Sequence, residues 1–140
     1  DWARVHFLGR VTYDRFLSLL QISRAHIYLS YPFVLSWSLM EAMSAGAAIV
    51  ASDTAPVREV MRNGETGILV DFFDEDALLS QLIRLLKDAA LRARLGGAAR
   101  RQIRQFYDLK TICLPQQLRW VDALGHLGAK PALVNGPVQM

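Results

Sequence analysis

Ser30-Tyr31-Pro32-Phe33-Val34-Leu35-Ser36-Trp37-Ser38-Leu39-Met40-Glu41-Ala42-Met43-Ser44-Ala45-Gly46-Ala47-Ala48-Ile49-Val50-Ala51-Ser52 decides the fold. Pro32 has no N–H for a ladder, so the strand His26–Ser30 ends before it. The spacing that follows predicts a helix over about 37–45. Gly46 stands where a left-handed residue closes a helix. Ala47–Ser52 is apolar enough for a buried strand. Strand, helix and strand in that order make a βαβ unit, which implies a parallel sheet with a right-handed crossover. The unit puts a helix N-terminus and Glu41 on the lip formed by the carboxyl ends of the strands. Such a lip suits an anionic ligand that also carries hydroxyls.

The flanking sequence repeats the alternation. Val5–Leu8, closed by Gly9, reads as a first strand. Thr12 reads as the N-cap of a helix through Ile22, and Pro56 favours the first turn of a short helix ending near Met61. Asn63-Gly64 and Gly67 mark a turn before a strand at 67–70, so four strands are expected, at 5–8, 26–30, 47–52 and 67–70. Asp74 caps a helix over about 75–87, whose Leu78, Leu79, Leu82, Ile83, Leu85 and Leu86 form a wide apolar stripe. Beyond Asp88 the pattern is helical only. One helix spans about 89–106, weakened by Gly96-Gly97, and a second, capped by Asp108, runs to about 124 with a bend at Pro115.

The chain has 140 residues, room for one domain, and 52% are apolar, enough for a core. The expected domain is 1–125, with 126–140 as a tail. No apolar run is long enough to span a bilayer, and no signal peptide is legible in the first residues. A first residue other than Met suggests a piece of a longer protein. The single cysteine, Cys113, excludes an internal disulfide and suits a reducing compartment; it reads as a packing residue rather than a nucleophile. The net charge of +3 conceals an asymmetry: residues 1–90 hold 8 Lys/Arg against 11 Asp/Glu, residues 91–140 hold 8 against 2. The basic third reads as a solvated helix face, or as a contact for another domain or an anionic membrane surface. Its arginines are not interleaved with stacking aromatics, which argues against nucleic acid.

Candidate ligand chemistry gathers on the loops 31–36 and 53–55. The amides of Leu35, Ser36, Trp37 and Ser38 would offer partial positive charge to a phosphate. Glu41 has two readings. Ser38-x-x-Glu41 fits a capping box, a purely structural role. If instead the helix starts at Ser36 or earlier, the carboxylate lies about one turn in and can accept from a vicinal diol. Tyr31 and Trp37 either stack on a base or sugar or fill the core. Thr54 either meets a phosphate or shapes a turn. His6, His26 and His126 have no metal-ligand spacing, and no phosphate-binding glycine loop is present.

Ser36–Ser52, with Glu41-Ala42-Met43-Ser44-Ala45-Gly46 and Ile49-Val50-Ala51-Ser52, resembles the core of GT-B retaining glycosyltransferases of the "glycosyl transferases group 1" (GT4) family. Val5–Gly9, Pro56–Val60 and Asn63–Val70 agree, so the resemblance covers roughly 4–125. It implies a Rossmann-like three-layer α/β domain with a parallel sheet, the donor-binding C-terminal half of a GT-B fold, followed by a helical extension. By the resemblance Glu41 binds the donor ribose and the amides of Leu35–Ser38 meet the diphosphate or sugar, while Glu59 matches a recurrent acidic position. The family pairs two glutamates eight positions apart; here Phe33 holds the first position, and Val34 and Ser36 replace glycines. No metal or other cofactor is expected, because a helix dipole and basic groups stabilise the leaving diphosphate. Those basic groups are expected upstream of Asp1. The implied partners are a nucleotide-diphosphate sugar and an N-terminal acceptor domain of the same protein. The implied activity is sugar transfer in the cytoplasm; peripheral contact with the inner membrane is an option that the basic C-terminal third leaves open. A degenerate binding module, or an epimerase or phosphorylase on the same fold, is the alternative.

Overall fold

The structure, a computed structural model, describes residues 2–31 and 34–125. A 3-10 turn (Trp2–Arg4) precedes α1 (Tyr13–Ile22), β1 (His26–Tyr28), α2 (Trp37–Ala45), β2 (Ile49–Ser52), α3 (Ala55–Val60), β3 (Ile68–Val70), α4 (Glu75–Lys87) and α5 (Ala89–Tyr107). A π-helical segment (Leu109–Cys113) and α6 (Leu114–Gly125) follow. The chain divides into two compact units, 1–104 and 105–140.

In the first unit β2 is the axis. All four of its residues are buried, and it pairs in parallel with β1 on one side and β3 on the other. His26 is in register with Ile49, Val50 with Ile68, and Ser52 with Val70. Fully buried central strands read as unbroken apolar runs, as Ala47–Ala51 does. Ala48, Val50, Ile68 and Val70 form one core cluster with Leu85 of α4 and Leu91 and Leu95 of α5. Outside that cluster Leu20, Leu39, Ala42, Met43, Ile49, Ala51, Val57, Val60 and Met61 are buried as well. Helices thus cover the parallel sheet, the Rossmann-like α/β architecture expected.

The described sheet has three strands where four were expected. Val5–Leu8 is irregular and exposed, with Phe7 87% accessible. Strand propensity alone does not hold an extended segment; it needs a neighbour for its ladder, and no described strand pairs with this one. The α4 stripe is likewise less buried than its periodicity suggests: only Leu85 is fully covered, while Leu79, Ile83 and Leu86 remain exposed.

Gly96 and Gly97 do not interrupt α5, which is continuous from Ala89 to Tyr107. Gly96 lies in backbone contact with Gly46, the residue that ends α2 in the left-handed region at φ +80°. Gly46 N–H donates to the Met43 carbonyl and Ala47 N–H to the Ala42 carbonyl, both at 3.0 Å. This close lets the chain turn directly into β2. Two α5 side chains also tie down the turn before β3: Gln102 Nε2 donates to the Val60 carbonyl at 2.8 Å, and Arg94 Nη1 to the Gly64 carbonyl at 3.0 Å.

In the second unit Asp108 accepts from the amides of Lys110 and Thr111, as its capping role predicts. A π-helical turn stands just before Pro115, where a bend is expected. Cys113 N–H donates to the Asp108 carbonyl and Leu114 N–H to the Leu109 carbonyl, both five residues back. Pro115 has no N–H to continue the ladder, so the preceding turn widens. Leu118, Trp120, Val121 and Leu124 of α6 are exposed. The tail 126–140 lies outside the described residues. No helix among those described is long and apolar enough to cross a membrane.

His26 supplies a pH prediction. Burial pushes its imidazole below the ordinary value of about 6.5. As pH falls below that value, the unfolded chain takes up a proton that the folded chain resists. Folding stability is therefore at its full level above about pH 6.5 and declines as pH drops toward the lower folded value. Denaturant midpoints between pH 7.5 and 5 should fall for the natural chain and fall less for His26→Gln. Equal slopes would show that His26 does not carry the effect.

Candidate functional site

The carboxyl ends of β1 and β2 are joined by a serine. Ser52 Oγ donates to the Ser30 carbonyl at 2.8 Å and accepts from Ser30 N–H at 3.0 Å. Asp53 N–H continues the other edge, donating to the Val70 carbonyl at 2.7 Å. The loops leaving β1 and β2 are therefore neighbours, as the βαβ order predicts, and they form one rim with the loop after β3.

On this rim α2 begins at Trp37 with Ser36 as its N-cap. Ser36 Oγ accepts from Ser38 N–H at 3.3 Å and pairs with Ser38 Oγ at 2.9 Å. The capping box at Ser38 is thereby excluded: Ser38 is already inside the helix, and a side chain two residues earlier serves it. Glu41 is left free of that duty. It is half-buried, in the second turn of α2, and its carboxylate pushes the Tyr13 phenol pKa up. Leu39, Ala42 and Met43, at helical spacing around Glu41, are wholly buried and hold this face of α2 in place.

The other expected site residues are distributed unevenly. Leu35 is half-buried and Ser36 is exposed, and the Ser36 amide donates to Tyr28 Oη at 3.1 Å. Two of the four expected amides, those of Ser36 and Ser38, thus have partners within the chain. The amide of Trp37 belongs to the first turn of the helix, whose N–H groups lack intrahelical acceptors. Phe33 lies outside the described residues. Thr54 precedes α3, but its Oγ1 makes no capping bond and is buried with no hydrogen-bond partner among the described residues. It sits beneath the rim rather than on it. Glu59 is exposed on α3.

Neither Trp37 nor Tyr31 is a core residue: they are 80% and 62% exposed. Tyr31 meets Phe72 and Phe73 edge to face, with ring centroids 5.6 and 5.8 Å away. This aromatic group spans the ends of β1 and β3. Beside it lies an open depression of about 590 Å³ bounded by Asp71, Phe73, Asp74, Glu75 and Asp76. Its carboxylates repel phosphate, which leaves the N-terminus of α2 as the electropositive part of the rim. A second depression, about 360 Å³, lies along α1 between Leu8, Arg10, Val11, Arg15, Ser18, Leu19 and Ile22. Sequence reasoning missed this depression, which has no local motif.

With this geometry in hand, residues 2–102 match the family model described as "Glycosyl transferases group 1". The chain belongs to that family. Among relatives of this glycosyltransferase family, it is 38% identical over 92 residues to the phosphatidyl-myo-inositol mannosyltransferase of Mycobacterium leprae, covering 66% of this chain and 24% of the relative. It is 30% identical over 121 residues to the N-acetyl-alpha-D-glucosaminyl L-malate synthase of Bacillus anthracis, covering 86% and 31%. The chain therefore spans about a quarter to a third of these relatives' length. Its fold matches sucrose-phosphate synthase from Thermosynechococcus elongatus with a TM-score of 0.76 at 24% identity, over 88% of this chain and 31% of that one. It also matches the C-terminal domain of a group 1 glycosyltransferase, LpcC, from Francisella tularensis, with a TM-score of 0.64 at 18% identity, over 76% and 53%. The chain thus carries the glycosyltransferase group 1 sequence on a Rossmann-like fold shared with GT-B enzymes.

Proposed function

We propose that this chain is the donor-binding part of a retaining glycosyltransferase. The whole protein would move a sugar from a nucleotide diphosphate sugar to a glycan, lipid or small-molecule acceptor. The observation that carries the reading is the position of Glu41: a half-buried carboxylate one turn behind the α2 N-terminus, released from capping by Ser36. In this reading Glu41 accepts from the ribose hydroxyls, and the first turn of α2 faces the diphosphate. The depression between Arg10, Arg15 and α1 has the apolar walls and donors that suit a base. Stabilisation of the departing diphosphate falls to the helix terminus and to basic groups elsewhere in the protein, with no metal required. The relatives' names carry phosphatidyl-myo-inositol in one case and N-acetyl-glucosaminyl L-malate in the other, which supports leaving the acceptor to the rest of the protein.

Calorimetric titration with UDP, GDP and ADP tests the reading. The chain should bind one of them weakly, and Glu41→Ala should lower that affinity about tenfold, roughly the effect of one hydrogen bond to a charged acceptor. Because the Glu41 carboxylate is only half-buried, the melting temperature should move little. A large fall in melting temperature with unchanged affinity would assign Glu41 to structure instead. A second reading, a non-catalytic binding or assembly module, is favoured by Phe33 at the family's first glutamate position and by the internal use of the Ser36 and Ser38 amides. An intact fold that binds none of the three nucleotides would select it.

A further inference from the structure

Tyr28 is the last residue of β1 and is almost wholly buried, with 9% of its surface exposed. In register beside it on β2 stands Ala51, whose methyl group takes little room next to the phenol ring. The Tyr28 hydroxyl accepts from Ser36 N–H at 3.1 Å, so its oxygen stands at the head of α2. A hydroxyl that accepts still has a proton to give, and no acceptor for that proton stands among the described residues. We propose that Tyr28 is a ligand-binding residue: its hydroxyl takes the place of the Ser36 amide and donates to a phosphate oxygen of a nucleoside diphosphate at the head of α2. The inference rests on the reading of the α2 terminus given above and adds to it a side chain from the neighbouring strand.

The first turn of α2 is short of donors. The Ser36 and Ser38 amides are engaged within the chain, by Tyr28 Oη and Ser36 Oγ, which leaves the Trp37 amide to a ligand. A phosphate presents several acceptor oxygens, and one amide serves one of them. Accepting the Ser36 N–H polarises the phenol O–H and makes it a better donor toward an anion. The helix terminus supplies partial positive charge, and the phenol supplies direction. Burial of the ring fixes the hydroxyl beforehand, so binding costs little further side-chain entropy. Ser36 is exposed, so the hydroxyl bonded to its amide lies one hydrogen bond from the solvent-facing rim. The Ser52–Ser30 link holds the end of β1 from which this loop departs.

The test compares the natural chain with Tyr28→Phe. Each is titrated with whichever of UDP, GDP or ADP binds best, and with the matching nucleoside. The natural chain should favour the diphosphate. Tyr28→Phe keeps the buried ring, and the amide it releases belongs to an exposed residue that water can serve, so the variant should fold. It should lose about tenfold in affinity for the diphosphate, the effect of one hydrogen bond to a charged group. Its affinity for the nucleoside should stay as it is. Equal losses for both probes would mark the hydroxyl as a support of the loop and overturn the inference. An unchanged or higher diphosphate affinity would show that backbone amides alone hold the phosphate; the inference would then fall and the reading of the α2 terminus would stand. A natural chain with no preference for the diphosphate over the nucleoside would remove that reading and this inference together.

Discussion

Replacing Gly96 with alanine should cost this protein more than about 3 kcal/mol of folding stability, beyond the usual cost of an overpacked site. A Cβ at Gly96 would be driven into the Gly46 carbonyl, with the Ala47 carbonyl carbon at 3.5 Å. These are backbone atoms, so no side chain can rotate out of the way. Gly46 is itself fixed: at φ +80° it closes α2, and three residues later β2 enters the core. Relief would require α5 to move off the sheet, which would uncover Leu95, wholly buried one residue away. The neighbouring Gly97 is the control. A Cβ there meets only Arg101 Nη1 at 3.5 Å, the end of a flexible side chain. Gly97→Ala should therefore be neutral or stabilise by up to about 1 kcal/mol through helix propensity. Urea denaturation of both variants reads the difference directly. Similar midpoints for the two would show that α5 does not approach α2 this closely.

Ser52→Ala should be the next most damaging change, at about 2 to 3 kcal/mol. Ser52 is wholly buried and serves both the N–H and the carbonyl of Ser30, at 3.0 and 2.8 Å. Removing the hydroxyl leaves two backbone groups at the end of β1 without their partner, and an unmade hydrogen bond costs more than a made one contributes. The consequence should reach function as well as stability. The Ser52–Ser30 link is where the loop to α2 departs from β1, so its loss should loosen the rim and weaken nucleotide binding. Hydrogen exchange at Ser30, together with the urea midpoint, checks the claim. An unchanged Ser30 amide in Ser52→Ala would show that other contacts hold the loop.

Glu41 illustrates how far the sequence goes. Its chemistry and its place on the helix after β1 are legible from Pro32, the apolar spacing and Gly46. Whether it caps the helix or faces a ligand is not, because Ser36 and Ser38 are both good N-caps. The choice is made by the backbone: Ser36 is extended at φ −81°, ψ 140°, and its amide is drawn to Tyr28 Oη on the neighbouring strand. Val5–Leu8 shows the opposite failure. Its composition reads as a strand, yet a strand exists only through a partner, and partners are a tertiary property. Gly96 looks like a helix weakness in a linear reading and is a close-packing site in three dimensions.

By itself the sequence determined the order of helices and strands from 13 to 107, the parallel βαβ logic, the stop at Gly46 and the family. These follow from local periodicity, from residues with special backbone freedom and from a contiguous motif, all of which are written along the chain. Only the tertiary structure decided that Glu41 is free of capping, that Ser52 joins two strand ends and that Thr54 is buried. Thr54 depends on the packing around it, and the Ser36–Tyr28 and Ser52–Ser30 links depend on groups apart in sequence meeting at hydrogen-bond distance. That meeting is set by how α1, α2 and α5 pack on the sheet, which no local pattern encodes.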